Sequence, residues 1–297
     1  MQCISPITIR QQVAIFPGSR IKEEKFVTVP CGKCAACLCR RKRDWMNRLW
    51  FEYHDHSTGA FVTLTYDDSH LNYSVEESTG ECFNTLCKRD LQLFLKRLRK
   101  QLGNGIRFFA VGEYGTTTAR PHYHLLIFGY PYRCDIGAHI SQAWRKGFVS
   151  VGSVSGASIN YCTKYLLIGG VDKPFFDLLD LYGAERPFMV CSRRPYIGNG
   201  YVSDDIVDYH RSSGSLMIVK DAVKQPMPRI YREKIFNSFT LRKLNNELVE
   251  FARNEAIKQE RKDIEKYGYH HAFMLQHQRK LEFIRRVKNK LKHNEKL

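Results

Sequence analysis

The sequence predicts an α+β fold with antiparallel strands, packed helices and a helical extension at its C-terminal end. Two apolar strands, over residues 107–113 and 121–128, follow each other with a short link, which is typical of an antiparallel hairpin. Amphipathic helical patterns stand between these and further strands. Residues 229–297 are helical in pattern and hold 18 Lys and Arg against 9 Asp and Glu.

The first half of the chain begins with strand and turn patterns. Residues 1–40 predict strands and turns that end in a cluster of cysteines, and a helix follows over residues 44–53. Residues 61–66 are β-branched and aromatic, which predicts a strand. Residues 67–87 are polar and rich in turn residues, so we expect an irregular excursion there.

The second half alternates helices with strands. Apolar spacing predicts a helix over residues 91–102, stopped by Gly103, and a second helix over 136–144. A strand is predicted over residues 147–154, then a capped helix over 159–168. The proline- and glycine-containing stretch that follows, up to residue 228, is predicted to be mainly loop.

The composition points to a polyanionic partner. The 297 residues carry a formal net charge of +17. Nucleic acid is the partner that this charge favours, with an anionic membrane second. There is no run of about 18 apolar residues and no signal-peptide pattern at the N-terminus. We therefore expect a protein of the cytoplasm that does not bind membranes.

A basic tetrad of Arg40, Arg41, Lys42 and Arg43 lies at the start of the predicted helix 44–53. Cations are unfavourable at the N-terminal end of a helix dipole. Contacts with DNA phosphates would explain the tetrad, and a solvated charged surface would explain it equally well.

Five cysteines are candidate ligands of a structural zinc ion: Cys3, Cys31, Cys34, Cys37 and Cys39. In a reducing compartment, Cys-x-x-Cys-x-x-Cys spacing is more typical of a metal site than of disulfides. Tetrahedral Zn²⁺ needs four of the five. Free thiols packed in a tight turn are the alternative.

Two histidines and one acid are candidate ligands of a catalytic metal. His122 and His124 alternate on one strand, so both imidazoles lie on the same face, about 7 Å apart. Glu113 ends the preceding strand and would sit across from them in a hairpin. One carboxylate and two imidazoles suit Mg²⁺, Mn²⁺ or another first-row ion. The alternative is a pair of core histidines satisfied by hydrogen bonds.

Two tyrosines are candidate nucleophiles. Tyr161 and Tyr165 are four residues apart on a predicted helix and therefore share a face, and Lys164 can reach the same side. A phenol with a pKa near 10 needs help from a neighbouring cation or a metal-polarised phosphate to attack phosphorus. Two tyrosines would allow two successive strand transfers. Structural aromatic residues are the alternative.

The order of these motifs resembles the HUH endonucleases. A hydrophobic strand over residues 62–65 comes first, then Glu113, then Pro-His-Tyr-His at 121–124 and Tyr-Cys-Thr-Lys-Tyr at 161–165. The paired tyrosines, the cysteine cluster and the block at 120–129 are similar to rolling-circle replication initiators of gokushovirus-type microviruses. The resemblance covers about residues 1–210.

This resemblance implies a central antiparallel sheet with helices packed on it and a metal site on its open face. It implies a metal-dependent endonuclease and strand transferase that cleaves single-stranded origin DNA through a 5′-phosphotyrosine. Glu113 and the two histidines would hold Mg²⁺ or Mn²⁺, one of the two tyrosines would attack, and Lys164 would orient the phosphate. A Cys-rich and basic segment (1–58), a nuclease core (59–228) and a basic helical extension (229–297) are the domains that we predict.

No Gly-x-x-x-x-Gly-Lys-Ser/Thr motif for a helicase occurs. Host helicase and polymerase are therefore expected partners, in the cytoplasm of the bacterial host. Arg120, beside the histidine strand, joins the basic tetrad as a candidate DNA contact. A non-catalytic single-stranded DNA-binding protein, or a transposase or relaxase with the same core, remains an alternative function.

Overall fold

A computed structural model describes residues 3–14, 20–115, 118–170 and 173–295. The strands are β1 (Ile7–Ala14), β2 (Lys22–Val29), β3 (Gly59–Tyr66), β4 (Asn72–Val75), β5 (Cys82–Thr85), β6 (Arg107–Tyr114), β7 (Pro121–Phe128), β8 (Gly147–Ser153), β9 (Phe188–Cys191), β10 (Met217–Lys220) and β11 (Val223–Pro226). The helices are α1 (Ala35–His54), α2 (Lys88–Leu102), α3 (Ile136–Trp144), α4 (Gly156–Lys164), α5 (Lys173–Leu181), α6 (Asp204–Ser213), α7 (Arg229–Ile235), α8 (Ser238–Tyr267) and α9 (Tyr269–Glu295). Short 3₁₀ turns span Asp68–His70, Tyr165–Gly170 and Asn199–Tyr201.

The chain divides into two compact units. One is Trp45–Tyr201, and the other joins Met1–Asp44 with Val202–Leu297. The domain boundaries predicted at residues 58 and 228 stay predictions. Among the helices of the described part of the chain, none is long and apolar enough to cross a membrane.

The unit Trp45–Tyr201 is built on an antiparallel sheet with the strand order β8-β3-β7-β6-β9. The predicted hairpin is confirmed as β6 paired with β7, and its register places Glu113 opposite His122. The α+β class with an antiparallel sheet is therefore confirmed.

Apolar side chains cover both faces of this sheet. On one face, Leu64, Tyr123 and other strand residues pack with Phe94 of α2 and Trp144 of α3 in one core cluster. On the other face, alternate residues of β6 and β7 pack with Leu49 of α1 and with α4. The predicted apolar face of the first helix is confirmed by this packing. The histidine face is thus partly covered by helices rather than open.

Three predicted segments differ from the structure. Residues 67–87 contain the β4–β5 hairpin, and the stretch predicted as loop contains α5, α6 and three strands, one of which, β9, pairs with β6. These strands have four residues each, too few for alternation to show in the sequence. The first helix begins at Ala35 rather than near Asp44, so the basic tetrad lies inside α1. Alanine is the strongest helix former, which explains the earlier start.

The other unit contains two small hairpins and the C-terminal helices. Strands β1 and β2 pair with Ile7 opposite Val29, and β10 pairs with β11. Helices α8 and α9 meet at Gly268, whose φ of 77° is a conformation that favours glycine. Arg279 of α9 forms an ion pair with the buried carboxylate of Asp263 of α8. The predicted helical extension is confirmed.

Candidate active site

Three neighbouring strands place five polar side chains on one face of the sheet. In the registers of β3 with β7 and of β7 with β6, Thr65 lies opposite His122, and His122 lies opposite Glu113. Two residues along, Thr63 lies opposite His124. Directly opposed residues of antiparallel strands have their side chains on the same face. The acid and both histidines are therefore brought to one place by strand pairing alone.

Glu113 and His124 form a buried pair. His124 Nε2 lies 2.6 Å from Glu113 Oε1. The two residues retain only 6% and 8% of their exposure, for His124 and Glu113 respectively. A buried carboxylate needs such a partner, because an isolated charge away from water is strongly unfavourable. This pair gives the site a fixed centre of negative charge.

The threonines of β3 orient both imidazoles. Thr65 Oγ1 lies 3.0 Å from His122 Nδ1, and Thr63 Oγ1 lies 3.0 Å from His124 Nδ1. A hydroxyl either donates or accepts, so each threonine supports either tautomer of its imidazole. With Nδ1 engaged, Nε2 is the nitrogen that remains for a ligand. Hydrogen bonds of this kind orient the histidine ligands of metal ions.

His122 is kept neutral by its surroundings. Burial lowers the pKa of His122, and the nearby His124 and Arg120 lower it further. Only the neutral imidazole binds a metal ion. Gly115 leaves room for this ring, because a Cβ atom there would come within 3.1 Å of His122 Nε2.

The donor set fits a divalent cation by its chemistry. Two imidazole nitrogens and one carboxylate suit Mn²⁺ and similar ions. Among the residues that the structure describes, however, only a group of cysteines brings three or more potential ligand atoms within 4.8 Å of one another. The spacing of Glu113, His122 and His124 is thus that of an acid–imidazole hydrogen bond with a second imidazole beside it.

Both candidate nucleophiles contact the same histidine. The Tyr161 hydroxyl lies 3.4 Å from His124 Nε2. The Tyr165 ring stacks on the His124 ring with centroids 5.7 Å apart, and the two tyrosine rings are 5.4 Å apart. Lys164 Nζ lies 5.7 Å and 5.8 Å from the two tyrosine ring centroids. The end of α4 and the 3₁₀ turn after it thus bring all three residues to the histidine face, where Phe61 also packs against His124 and Tyr161.

The tyrosine hydroxyls are protonated at neutral pH. Burial raises the pKa of Tyr161, and the Glu113 carboxylate adds to this rise. Burial also raises the pKa of Tyr165. Attack by either phenol therefore requires positive charge near the oxygen, or a base that removes the proton.

Arg120 is held in place by its own neighbours. Its guanidinium donates to the carbonyl oxygen of Tyr66 at 2.9 Å and forms an ion pair with Asp68. Asp68 is largely exposed, so this ion pair is open to solvent. The predicted contact of Arg120 with DNA stays a prediction.

The basic tetrad is less exposed than a phosphate-binding surface would be. Lys42 is buried, Arg40 and Arg43 are half-buried, and Arg41 is exposed. The guanidinium of Arg40 donates to Cys37 Sγ at 3.4 Å. The predicted phosphate contacts of the tetrad stay a prediction, and Arg41 is its best-presented member. Of the five zinc candidates, Cys3, Cys31, Cys34 and Cys37 lie together, whereas Cys39 is outside this group.

Sequence reasoning missed the two threonines as functional residues. Their signal is the alternation of Thr63 and Thr65 with apolar residues on β3, which places both hydroxyls on one face. The sequence does not show that this strand pairs with the histidine strand, because the two are about 60 residues apart.

We expect the Thr63→Val variant to bind Mn²⁺ about 10- to 100-fold more weakly than the parent, because His124 loses the hydroxyl that orients it. Valine has nearly the same shape, so thermal stability should change little. Titration with Mn²⁺ measures the effect, with Thr63→Ser as the control that keeps the hydroxyl. Unchanged affinity in Thr63→Val would show that the threonine does not support a metal ligand.

Comparison with known proteins places the same residues in a phage family. Residues 59–168 match the model of a family described as replication-associated protein ORF2. The chain is 27% identical over 263 residues to Replication-associated protein VP4 of Bdellovibrio phage phiMH2K, covering 78% of this chain and 76% of that protein. It is 29% identical over 168 residues to Replication-associated protein ORF4 of Chlamydia phage 1, covering 50% of this chain and 39% of that protein.

A third relative is Replication-associated protein ORF2 of Spiroplasma virus 4, 33% identical over 156 residues, with 46% of this chain and 47% of that protein covered. The chain thus spans less than half the length of the last two relatives. No solved structure matches the chain significantly.

The matched segment contains Glu113, both histidines and both tyrosines, and the cysteine group lies outside it. Over residues 59–168 the chain therefore carries a domain of the ORF2-type replication-associated protein family, and its predicted resemblance to the replication proteins of microviruses is confirmed.

Proposed function

We propose that this protein initiates rolling-circle replication of a single-stranded DNA phage by nicking and rejoining origin DNA. The observation that carries the proposal is the Tyr161 hydroxyl, 3.4 Å from the histidine that pairs with Glu113. The relatives named as replication-associated proteins support the role in phage replication. The formal charge of +17 suits a DNA substrate.

In the proposed reaction, the oxygen of Tyr161 attacks the phosphorus of the scissile linkage. The new O–P bond joins the 5′ phosphate to the tyrosine, the P–O3′ bond breaks, the phenol loses its proton and the 3′ oxygen gains one. A divalent ion held by Glu113, His122 and His124 would stabilise the negative charge that develops on the phosphate oxygens. The free 3′-hydroxyl then serves as the primer for synthesis.

Lys164 and burial set the conditions for this attack. Because burial raises the pKa of Tyr161, its phenol becomes a good nucleophile only when positive charge is near. The Lys164 ammonium, 5.7 Å from the centroid of the Tyr161 ring, offers such a charge and a donor for the phosphate.

Tyr161 acts first in this proposal, and Tyr165 serves the second transfer. The Tyr161 hydroxyl approaches His124 Nε2, whereas the Tyr165 ring lies parallel to the imidazole. With ring centroids 5.4 Å apart, the second tyrosine can take the next strand while the first is still joined to DNA. Storing the bond energy in this way allows rejoining without another energy source.

Chelation separates this proposal from a non-catalytic DNA-binding protein. We expect cleavage of single-stranded origin DNA with Mn²⁺ to disappear in EDTA, while DNA binding measured by fluorescence anisotropy persists. Gel analysis of a labelled oligonucleotide reports the cleavage, and excess Mn²⁺ should restore it. Binding without cleavage under every metal condition would instead favour a stacking and charge-based binder.

Exposed cations of the C-terminal helices are expected to contribute to DNA affinity. Arg253, Lys262 and Arg285 are exposed on α8 and α9. Their joint replacement by glutamine should weaken single-stranded DNA binding and lower the slope of log K against log salt by up to about 2, because fewer counterions are released.

The matched control replaces the exposed acids Glu250, Glu260 and Glu265 of α8 by glutamine, which should not lower the slope. This test keeps α7 intact, whose Tyr231 and Ile235 are buried. An unchanged slope after removal of the cations would assign these helices to a protein partner or to a structural role.

A further inference from the structure

We infer that Cys3, Cys31, Cys34 and Cys37 bind one structural zinc ion, and that Cys39 is not a ligand. The four Sγ atoms all lie within 4.8 Å of one another. Cys3 Sγ is 3.5 Å from Cys31 Sγ and 3.7 Å from Cys34 Sγ. Tetrahedral Zn²⁺ with Zn–S bonds of about 2.3 Å places its sulfurs about 3.8 Å apart, which matches these distances.

The spacing does not suit disulfides. A disulfide bond holds its two sulfurs about 2.05 Å apart, whereas Cys3 Sγ approaches two other sulfurs almost equally, at 3.5 Å and 3.7 Å. One sulfur cannot be bonded to both. A shared ion at the centre of four thiolates accounts for the arrangement with all four sulfurs equivalent.

The backbone is folded around the sulfurs. The amide of Cys34 donates to Cys31 Sγ at 3.3 Å, and the amide of Cys31 donates to Cys3 Sγ at 3.4 Å. Gly32 has a φ of 76°, a conformation that other residues rarely adopt, and it turns the chain between Cys31 and Cys34. Amide donors aimed at sulfur stabilise the thiolate form that binds metal.

Charge at the group also favours thiolates. Burial opposes ionisation of Cys34, but amides of Ile4 and Cys37 and the Cys31 thiol together bring its pKa to about 6. The amides of Cys34 and Lys33 lower the pKa of Cys31. Burial raises the pKa of Cys37 to about 11, so its proton leaves only when the ion displaces it. The Arg40 guanidinium, 3.4 Å from Cys37 Sγ, balances the resulting negative charge.

The ion would stabilise a part of the chain that lacks a core of its own. The β1–β2 hairpin leaves Phe26 79% exposed and Ile7 48% exposed. An isolated two-stranded hairpin is marginally stable in water. Cys3 precedes β1, Cys31 follows β2, and Cys37 lies in α1, so one ion joins the base of the hairpin to the helix. Small units that lack a core commonly gain their stability from metal in this way.

The first test is the zinc content of the full-length protein, purified under reducing conditions without chelator. We expect one Zn²⁺ per chain by elemental analysis, retained in Cys39→Ser and lost in Cys3→Ser. The His122→Ala, His124→Ala double variant should keep its zinc. That variant separates this inference from the proposed function, because it removes the candidate catalytic ligands and leaves the cysteines intact.

Cobalt substitution guards against a variant that loses metal because it fails to fold. Co²⁺ in the parent protein should give the thiolate-to-metal charge-transfer and d–d bands of a tetrahedral site. Cys3→His should still bind Co²⁺, with charge-transfer intensity lower by about one quarter because three thiolates remain.

Three results would overturn the inference. They are a parent protein without zinc or cobalt bands, a Cys39→Ser variant that loses metal as Cys3→Ser does, and a mass that shows a disulfide among the four cysteines of the reduced preparation.

Discussion

The Tyr161→Phe, Tyr165→Phe double variant is expected to form no covalent adduct with single-stranded origin DNA. Phenylalanine lacks the oxygen that joins phosphorus, so adduct formation should fall on the order of 10⁴-fold or more, as it does when other enzymes lose their nucleophile. The single variants should differ. Tyr161→Phe should lose the first cleavage, whereas Tyr165→Phe should cleave once and fail in the second transfer. Denaturing gels of labelled DNA and protein measure both outcomes.

Tyr132→Phe is the matched control, because its side chain is 80% exposed and lies away from the histidine face. It should form the adduct at the parental rate. An adduct that persists in the double variant would remove both tyrosines from the reaction and assign the nucleophile to another residue.

Removal of the two imidazoles is expected to abolish both metal binding and cleavage. In His122→Ala, His124→Ala, two of the three candidate ligands are gone, so the affinity for Mn²⁺ should fall about 10²-fold or more. Titration of Mn²⁺ followed by electron paramagnetic resonance gives the affinity, and the oligonucleotide assay gives the cleavage.

Glu113→Gln tests the charge of the site separately from its shape. The amide can still contact His124 but brings no negative charge, so Mn²⁺ affinity should fall while the sheet remains folded. His139→Ala is the control, since His139 lies on α3 and contacts Gln101 of α2. If the histidine variant bound Mn²⁺ and cleaved DNA like the parent, the metal assignment would be wrong.

The positions of the acid, histidines and tyrosines could be predicted because local geometry fixes them. Alternation on β7 puts His122 and His124 on one face, and the hairpin with β6 sets Glu113 opposite His122. Helical spacing places Tyr161 and Tyr165 together. Each of these relations spans fewer than about a dozen residues or follows from one turn.

Relations between distant segments were beyond the sequence. The hydroxyls of Thr63 and Thr65 meet the histidines only because β3 pairs with β7, about 60 residues away. Cys3 joins Cys31 and Cys34 across the whole β1–β2 hairpin. Likewise, the grouping of Met1–Asp44 with Val202–Leu297 depends on contacts between the two ends of the chain, which composition cannot reveal.

The length of α1 shows another limit of sequence patterns. Charge runs read as exposed surfaces, yet Lys42 retains only 5% of its exposure within the helix. A lysine buries its methylene stem readily when its head finds a partner, and sequence alone does not show the partner.

The central claim is that the Tyr161 phenol and the Glu113–His124 pair act on one phosphate. Peptide mapping by mass spectrometry, after incubation with Mn²⁺ and single-stranded origin DNA, tests it most directly. We predict a nucleotide joined through its 5′ phosphate to Tyr161, and to Tyr165 after a second transfer. Cleaved DNA with a free 5′ phosphate and an unmodified peptide at residues 156–170 would contradict the account, because water would then be the nucleophile.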